Sequence, residues 1–174
     1  TEQMKKFGIQ IDSLSDLVAF GLLPACIGIS MLRYAVRMPG LSGFTCYVLT
    51  HYQKPAQFFL TFIAVLYVLA AMIRLAYFNV MEEEDQNRDE SGEKIYTGLP
   101  VTSAALIFPA VLLFHLLLRA DLTLLYFGVM ILTGLLFLSR IQIKKPHNRG
   151  IVLLLAFGVI EFVILILKLI CLHG

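Results

Sequence analysis

The sequence predicts an all-α protein, a polytopic transmembrane helix bundle. Composition comes first: of 174 residues, 59% are hydrophobic and 15% charged, where soluble domains run near 45–50% apolar and about 25% charged. Mean hydropathy is +0.82. The apolar residues also gather into long runs between polar punctuation, with none of the alternation over about 10 residues that a β-barrel strand needs. The same figures exclude disorder, which carries the opposite bias. Three scattered cysteines (Cys26, Cys46 and Cys171) make no disulfide framework and read as packing residues. A net charge of +2 without a basic patch leaves no nucleic-acid partner to expect.

Five runs qualify as spans within one domain, 1–174: residues 17–32, 58–73, 102–118, 122–138 and 151–167. Their cores of 16 or 17 residues fall a little short of the roughly 20 that a hydrocarbon layer asks for, and snorkelling flanks extend them. Between the first two, residues 38–57 hold two prolines with Gly40 and Gly43 and read as an interfacial loop or short helix. After the second, 81–97 carries Glu82, Glu83, Glu84, Asp85, Asp89, Glu90 and Glu93 and reads as a solvated, mobile acidic loop. Arg119-Ala120-Asp121 leaves room only for a tight turn, so the third and fourth spans are antiparallel neighbours. Pro109 inside the third span predicts a kink.

Cation placement sets the orientation. With residue 1 cytoplasmic, that side holds Lys5, Lys6, Arg74, Arg88, Lys94, Arg140, Lys144, Lys145 and Arg149, and the other holds Arg33, Arg37, Lys54, Arg119 and Lys168. The bias favours a cytoplasmic N-terminus. There is no signal-peptide pattern, and the chain begins with Thr1.

The chemistry concentrates just before the first span. Gly8, Asp12 and Asp16 recur every fourth residue, which on a helix puts both carboxylates on one face with Cβ atoms about 6 Å apart. Gly8, one turn earlier, leaves the backbone open to something bulky. Like charges entering a span repel and resist desolvation, so a divalent cation is the economical compensation, and an all-oxygen donor set suits Mg²⁺ or Mn²⁺. The plainer reading, charges favoured by a helix N-terminus, accounts for the spacing equally well. Elsewhere the plain reading leads. His115 in an apolar run is a hydrogen-bonded bundle residue rather than a ligand, and Glu161 in the last span should face the protein interior, another subunit or a neutralising partner, not lipid. Lys144, Lys145, His147 and Arg149 around Pro146 form a basic turn that enforces topology or attracts anionic lipid.

Three blocks of sequence carry a resemblance. Gly8-x3-Asp12-x3-Asp16 resembles the second half of the CDP-alcohol phosphatidyltransferase signature, D-G-x2-A-R-x8-G-x3-D-x3-D. The run Ile11-Asp12-Ser13-Leu14-Ser15-Asp16-Leu17-Val18-Ala19-Phe20-Gly21-Leu22-Leu23-Pro24-Ala25 is similar to the phosphatidylserine synthase branch of that family. So are Ile73-Arg74-Leu75-Ala76-Tyr77-Phe78-Asn79 and Thr97-Gly98-Leu99-Pro100-Val101. Ala19 stands where Ser or Thr is common, and Leu22-Leu23 replaces Val-Ala. The D-G-x2-A-R half is not in the chain. By the family's spacing it would end two positions before Thr1, with two further metal-binding aspartates and roughly two helices upstream. This polypeptide alone is therefore expected to be catalytically incomplete.

The resemblance implies an integral membrane enzyme of phospholipid biosynthesis, in the cell (inner) membrane, with its site facing the cytoplasm. It would join L-serine to the phosphatidyl group of CDP-diacylglycerol and release CMP. By the same resemblance Asp12 and Asp16 are metal ligands for Mg²⁺ or Mn²⁺, Asp16 is the general base, and Gly8 lies against the nucleotide. Arg74 is expected to take a lipid phosphate or the serine carboxylate, with simple snorkelling as the plainer alternative. Asn79 and Lys94 are expected to line the serine pocket, and a homodimer is expected from the family. Two rivals stay open: a sibling using glycerol phosphate or inositol phosphate, and a non-enzymatic bundle whose aspartates bind a cation.

Overall fold

A single rod opens the chain. α1 (Glu2–Asp16), a π-helical turn (Leu17–Leu22) and α2 (Leu23–Arg37) follow one another without a break. A short α3 (Phe44–His51) leads through Tyr52 into α4 (Gln53–Glu83), and backbone bonds from Tyr52 to Val48 and from Ala56 to Tyr52 carry the helical pattern across the bend. Then come strand β1 (Ile95–Thr97), a 3₁₀ turn (Val101–Ser103) running into α5 (Ala104–Leu118), α6 (Thr123–Leu138) and strand β2 (Gln142–Lys144). The computed structural model describes residues 2–37, 44–83, 95–118, 121–139, 141–144, 156, 158–164, 166, 167 and 170.

Among the described residues, three helices are long and apolar enough to cross a membrane, Gln3–Arg37, Gln53–Met81 and Val101–Leu118, and the shorter Thr123–Leu138 is as apolar in character. The described residues between 156 and 167, within the fifth expected span, are all helical. Gln3–Arg37 has 35 residues, which rise about 52 Å against a hydrocarbon layer near 30 Å, so several turns project beyond it. The outer face of α4 leaves Phe58, Phe59, Phe62, Val65, Leu66 and Leu69 exposed, a surface that lipid would cover.

The short helix between the first spans is α3. The acidic stretch is shorter than 81–97: α4 continues through Glu83, because glutamate is a good helix former, and Ile95–Thr97 pair antiparallel with Gln142–Lys144, Tyr96 opposite Ile143. Residues 84–94 lie outside the described residues, as do Arg140, Lys145, Pro146, His147 and Arg149.

Helix directions follow from side-chain contacts. Ser13 meets Asn79, and the Cβ position of Gly21 lies 3.4 Å from the Ala71 Cβ, so eight residues forward on the rod match eight back on α4. The rod and α4 are therefore antiparallel. At the opposite end the Thr45 hydroxyl donates to the Asp121 carbonyl at 3.1 Å, tying the α3 region to the turn between α5 and α6. That turn is closed locally. The Leu122 N–H donates to His115 Nδ1 at 3.1 Å, and the Thr123 N–H and hydroxyl both donate to Asp121 Oδ1. His115 is thus the hydrogen-bonded structural residue expected.

The core is aromatic where the helices cross. Tyr67 packs edge-on to Phe108 at 5.4 Å, and Phe108 lies 5.1 Å from Tyr126, geometries that favour ring quadrupoles. α6 comes close at Gly28: a Cβ there would sit 3.0 Å from the Tyr126 ring, so a side chain would push the ring back by a few tenths of an ångström. Glu161 is 3% exposed, as an interior-facing residue should be, and among the described residues its carboxylate oxygens have no hydrogen-bond partner. Its helix touches α5, where the Cβ position of Gly158 lies 3.1 Å from Leu106.

Candidate functional site

The polar end of the bundle gathers all three blocks of the motif. α1 carries Gly8, Asp12 and Asp16, the last turns of α4 carry Arg74 and Asn79, and hydrogen bonds link Asn79 to Ser13 of α1 and Arg74 to the segment Gly98–Leu99.

The α1 helix holds its carboxylates outward. Asp12 is exposed and Asp16 half-buried, one helical turn apart. Asp16 stands at the junction with the π-turn, and its side chain makes no capping hydrogen bond. Its oxygens are not spent on the helix. Ser15 bonds back to the Ile11 carbonyl at 2.9 Å and so belongs to the helix itself. Gly8 is exposed, and a Cβ there would meet nothing within 4 Å, so the face is open at Gly8 and Asp12 and partly covered at Asp16.

Asn79 is brought to this helix by α4. Its Nδ2 donates to Ser13 Oγ at 2.8 Å, and Ser13 sits between Asp12 and Asp16 in the turn they span. Beside this bond runs a cleft of about 350 Å³ lined by Gln10, Ser13, Leu14, Leu17, Met72, Leu75, Ala76 and Asn79. Its polar lining is Gln10, Ser13 and Asn79 and the rest is apolar; neither Asp12 nor Asp16 lines it.

Arg74 is 5% exposed. Its Nε donates to the Leu99 carbonyl at 3.1 Å and its Nη2 to the Gly98 carbonyl at 3.5 Å. The guanidinium therefore does not snorkel; it joins the second block of the motif to the third. The crossing segment is held from its other side as well, by the Gly98 N–H on the Ile141 carbonyl at 2.6 Å and the Leu99 N–H on the Leu136 carbonyl at 3.2 Å. Gly98 has φ +84°, and a Cβ there would lie 2.6 Å from the Ser139 carbonyl oxygen. Both facts require glycine. Lys94, expected near the serine pocket, lies outside the described residues.

The donors fit a hard divalent cation in kind and in access. Two carboxylates on one open helix face provide oxygen ligands alone, and Mg²⁺ is commonly held by one or two carboxylates with water and substrate phosphate completing the shell. Among the described residues no group of three or more His, Cys, Asp or Glu side chains converges on a metal position. What α1 offers here is the two carboxylates of Asp12 and Asp16, one helical turn apart.

Sequence reasoning placed these residues at one end but missed what fastens them. Ser13 lay inside the quoted motif without a role. Tyr67, in the middle of an apolar run, donates its hydroxyl to the Phe20 carbonyl at 2.6 Å. The signal for that bond is Pro24, which has no N–H to give the carbonyl four residues earlier.

No family model matches the chain, and no solved structure matches it. Among curated relatives, the protein named CDP-diacylglycerol--serine O-phosphatidyltransferase of Helicobacter pylori strain J99 is 30% identical over 146 residues, 82% of this chain and 50% of the relative. Its counterpart of the same name in strain 26695 is 28% identical over 146 residues, with the same shares. The chain spans about half the length of these relatives. They support the resemblance to the phosphatidylserine synthase branch that the three blocks carry.

Proposed function

We propose that this chain provides the half of a CDP-diacylglycerol–serine O-phosphatidyltransferase site that carries the base and one pair of metal-binding carboxylates. The observation that carries the reading is the exposed Asp12 with the half-buried Asp16 one turn on, in the first helix of a rod long and apolar enough to cross a membrane. The names of the two relatives agree with it.

In this reading the acyl chains of CDP-diacylglycerol stay among the helices while its pyrophosphate lies at the level of Asp12 and Asp16. Asp16 accepts the proton of the serine hydroxyl. The serine oxygen bonds to the phosphorus that bears diacylglycerol, the bond from that phosphorus to CMP breaks, and CMP departs with the electron pair. Asp12 and Asp16 would hold Mg²⁺ or Mn²⁺, which when bound neutralises pyrophosphate charge. Gly8 keeps the helix face low enough for the nucleotide to lie against it. Arg74 fixes the Gly98–Leu99 segment under the site and adds positive charge beside the headgroup level. Asn79 and Lys94 complete the serine pocket. The site faces the cytoplasm of a cell whose inner membrane holds the protein as a homodimer.

The test is CMP release by the complete gene product from CDP-diacylglycerol, with and without Mn²⁺ or Mg²⁺, offered L-serine, glycerol 3-phosphate or myo-inositol phosphate. Metal-dependent release with serine alone is the expected result. Release with another alcohol would keep the chemistry and replace the substrate, and no release with any would put a cation-binding bundle first.

A further inference from the structure

We propose that Tyr67 is a positioning residue for the carboxylate pair: its hydroxyl holds open the π-turn that sets the direction in which Asp12 and Asp16 point. The inference rests on the reading above in taking that pair as the metal-binding face.

Pro24 breaks the main-chain hydrogen bonding of the rod. In an α-helix the carbonyl of Phe20 would receive the N–H of residue 24, which proline lacks, and the proline ring crowds that carbonyl. The rod answers by widening. Residues Leu17–Leu22 form a π-turn, closed by the Leu23 N–H on the Val18 carbonyl, and this begins at the residue after Asp16. Phe20 lies within that turn, and its carbonyl, which Pro24 cannot serve, takes another donor. Tyr67 supplies one from α4 at 2.6 Å, from a side chain only 2% exposed. Below the turn, the Tyr126 hydroxyl donates to the Pro24 carbonyl at 3.0 Å. Two tyrosines on two helices thus bracket the proline, and only Tyr67 acts on the side toward the aspartates.

A π-turn accommodates one more residue than the α-helical turn it replaces. Tightening it to α would turn everything before it by about 100° around the rod axis and shift it about 1.5 Å along that axis. Asp12 and Asp16 would swing together away from their present face, and Ser13 would leave Asn79. The hydroxyl of Tyr67 therefore acts on the aspartates through the backbone without touching them.

The experiment compares Tyr67→Phe, Tyr126→Phe and the double variant Tyr67→Phe/Pro24→Ala with wild type, all in the complete gene product. Mn²⁺ affinity is read by electron paramagnetic resonance with Mn²⁺ alone, next to the melting temperature and the kcat and KM of CMP release. Tyr67→Phe should weaken Mn²⁺ binding by about tenfold, the scale of losing a group that orients a metal ligand. It should lower kcat by about a hundredfold with KM for CDP-diacylglycerol within threefold, as displacement of about 1 Å does. Tyr126→Phe should lower the melting temperature comparably and leave Mn²⁺ affinity within twofold. The double variant regains a main-chain N–H at position 24, so its melting temperature should recover while Mn²⁺ affinity stays low. Should Tyr67→Phe alone not fold, the double variant carries the same comparison. Unchanged Mn²⁺ affinity in Tyr67→Phe, an equal loss in Tyr126→Phe, or full recovery of Mn²⁺ affinity in the double variant would each overturn the proposal. If wild type releases no CMP from any alcohol, the enzymatic reading fails, while the Mn²⁺ comparison still decides the role of Tyr67.

Discussion

The amide of Asn79 donates to the hydroxyl of Ser13 at 2.8 Å across 66 positions of chain. This one bond ties the helix carrying the aspartates to the helix carrying the arginine. Both partners are half-buried, so neither end is fully replaced by water when the other is removed.

Ser13→Ala and Asn79→Ala should each lower stability by about 0.5–1.5 kcal/mol, and the double variant should cost clearly less than the two together. Thermal unfolding of the four proteins in detergent measures the cycle. Strict additivity would mean that the bond contributes nothing in the native state.

Gly98→Ala meets two obstacles at once, a φ of +84° and a carbonyl oxygen 2.6 Å from the new Cβ. A cost of about 1–3 kcal/mol is expected from the backbone strain alone. Arg74→Lys should weaken the same segment, because an ammonium lacks the planar fork that reaches the Leu99 and Gly98 carbonyls together. The check is protease sensitivity of the segment between α4 and α5, which should rise in both variants. Wild-type resistance in Gly98→Ala would contradict the described conformation.

Asp16→Asn preserves shape and removes the proton acceptor. Turnover should fall by roughly 10²–10⁴, with binding of a CDP-diacylglycerol analogue retained. Unchanged turnover would remove Asp16 as the base.

Chelation of divalent ions should abolish CMP release, and added Mn²⁺ or Mg²⁺ should restore it. In Asp12→Asn the concentration of Mn²⁺ needed for half-maximal restoration should rise by about 10- to 100-fold, the loss seen when a metal site's ligand environment is weakened. Full activity in the chelator would exclude metal assistance.

Much of this architecture is legible in the chain because its causes are local. Apolar run length dictates which segments can span, since unsatisfied backbone cannot sit in hydrocarbon. The four-residue spacing of Gly8, Asp12 and Asp16 dictates a shared helix face. His115 and Glu161 could be assigned inward because polar groups in apolar runs need the protein interior. The strand pairing of 95–97 with 142–144 was not legible, since three-residue strands carry too little pattern to announce a partner some 47 positions away.

What tertiary structure alone decided is who meets whom at the polar end. The sequence determined that Arg74 is a cation ending an apolar helix, but its hydrogen bonds go to the Leu99 and Gly98 carbonyls, a choice made by how α4, α6 and the crossing segment pack. It determined that Pro24 leaves a carbonyl without a donor, yet not that Tyr67 would stand opposite it. Spacing along one helix is a property of bond geometry and survives in any context. Contacts between helices depend on rotation, register and close approach, such as Tyr126 upon Gly28, and these exist only once the bundle is assembled.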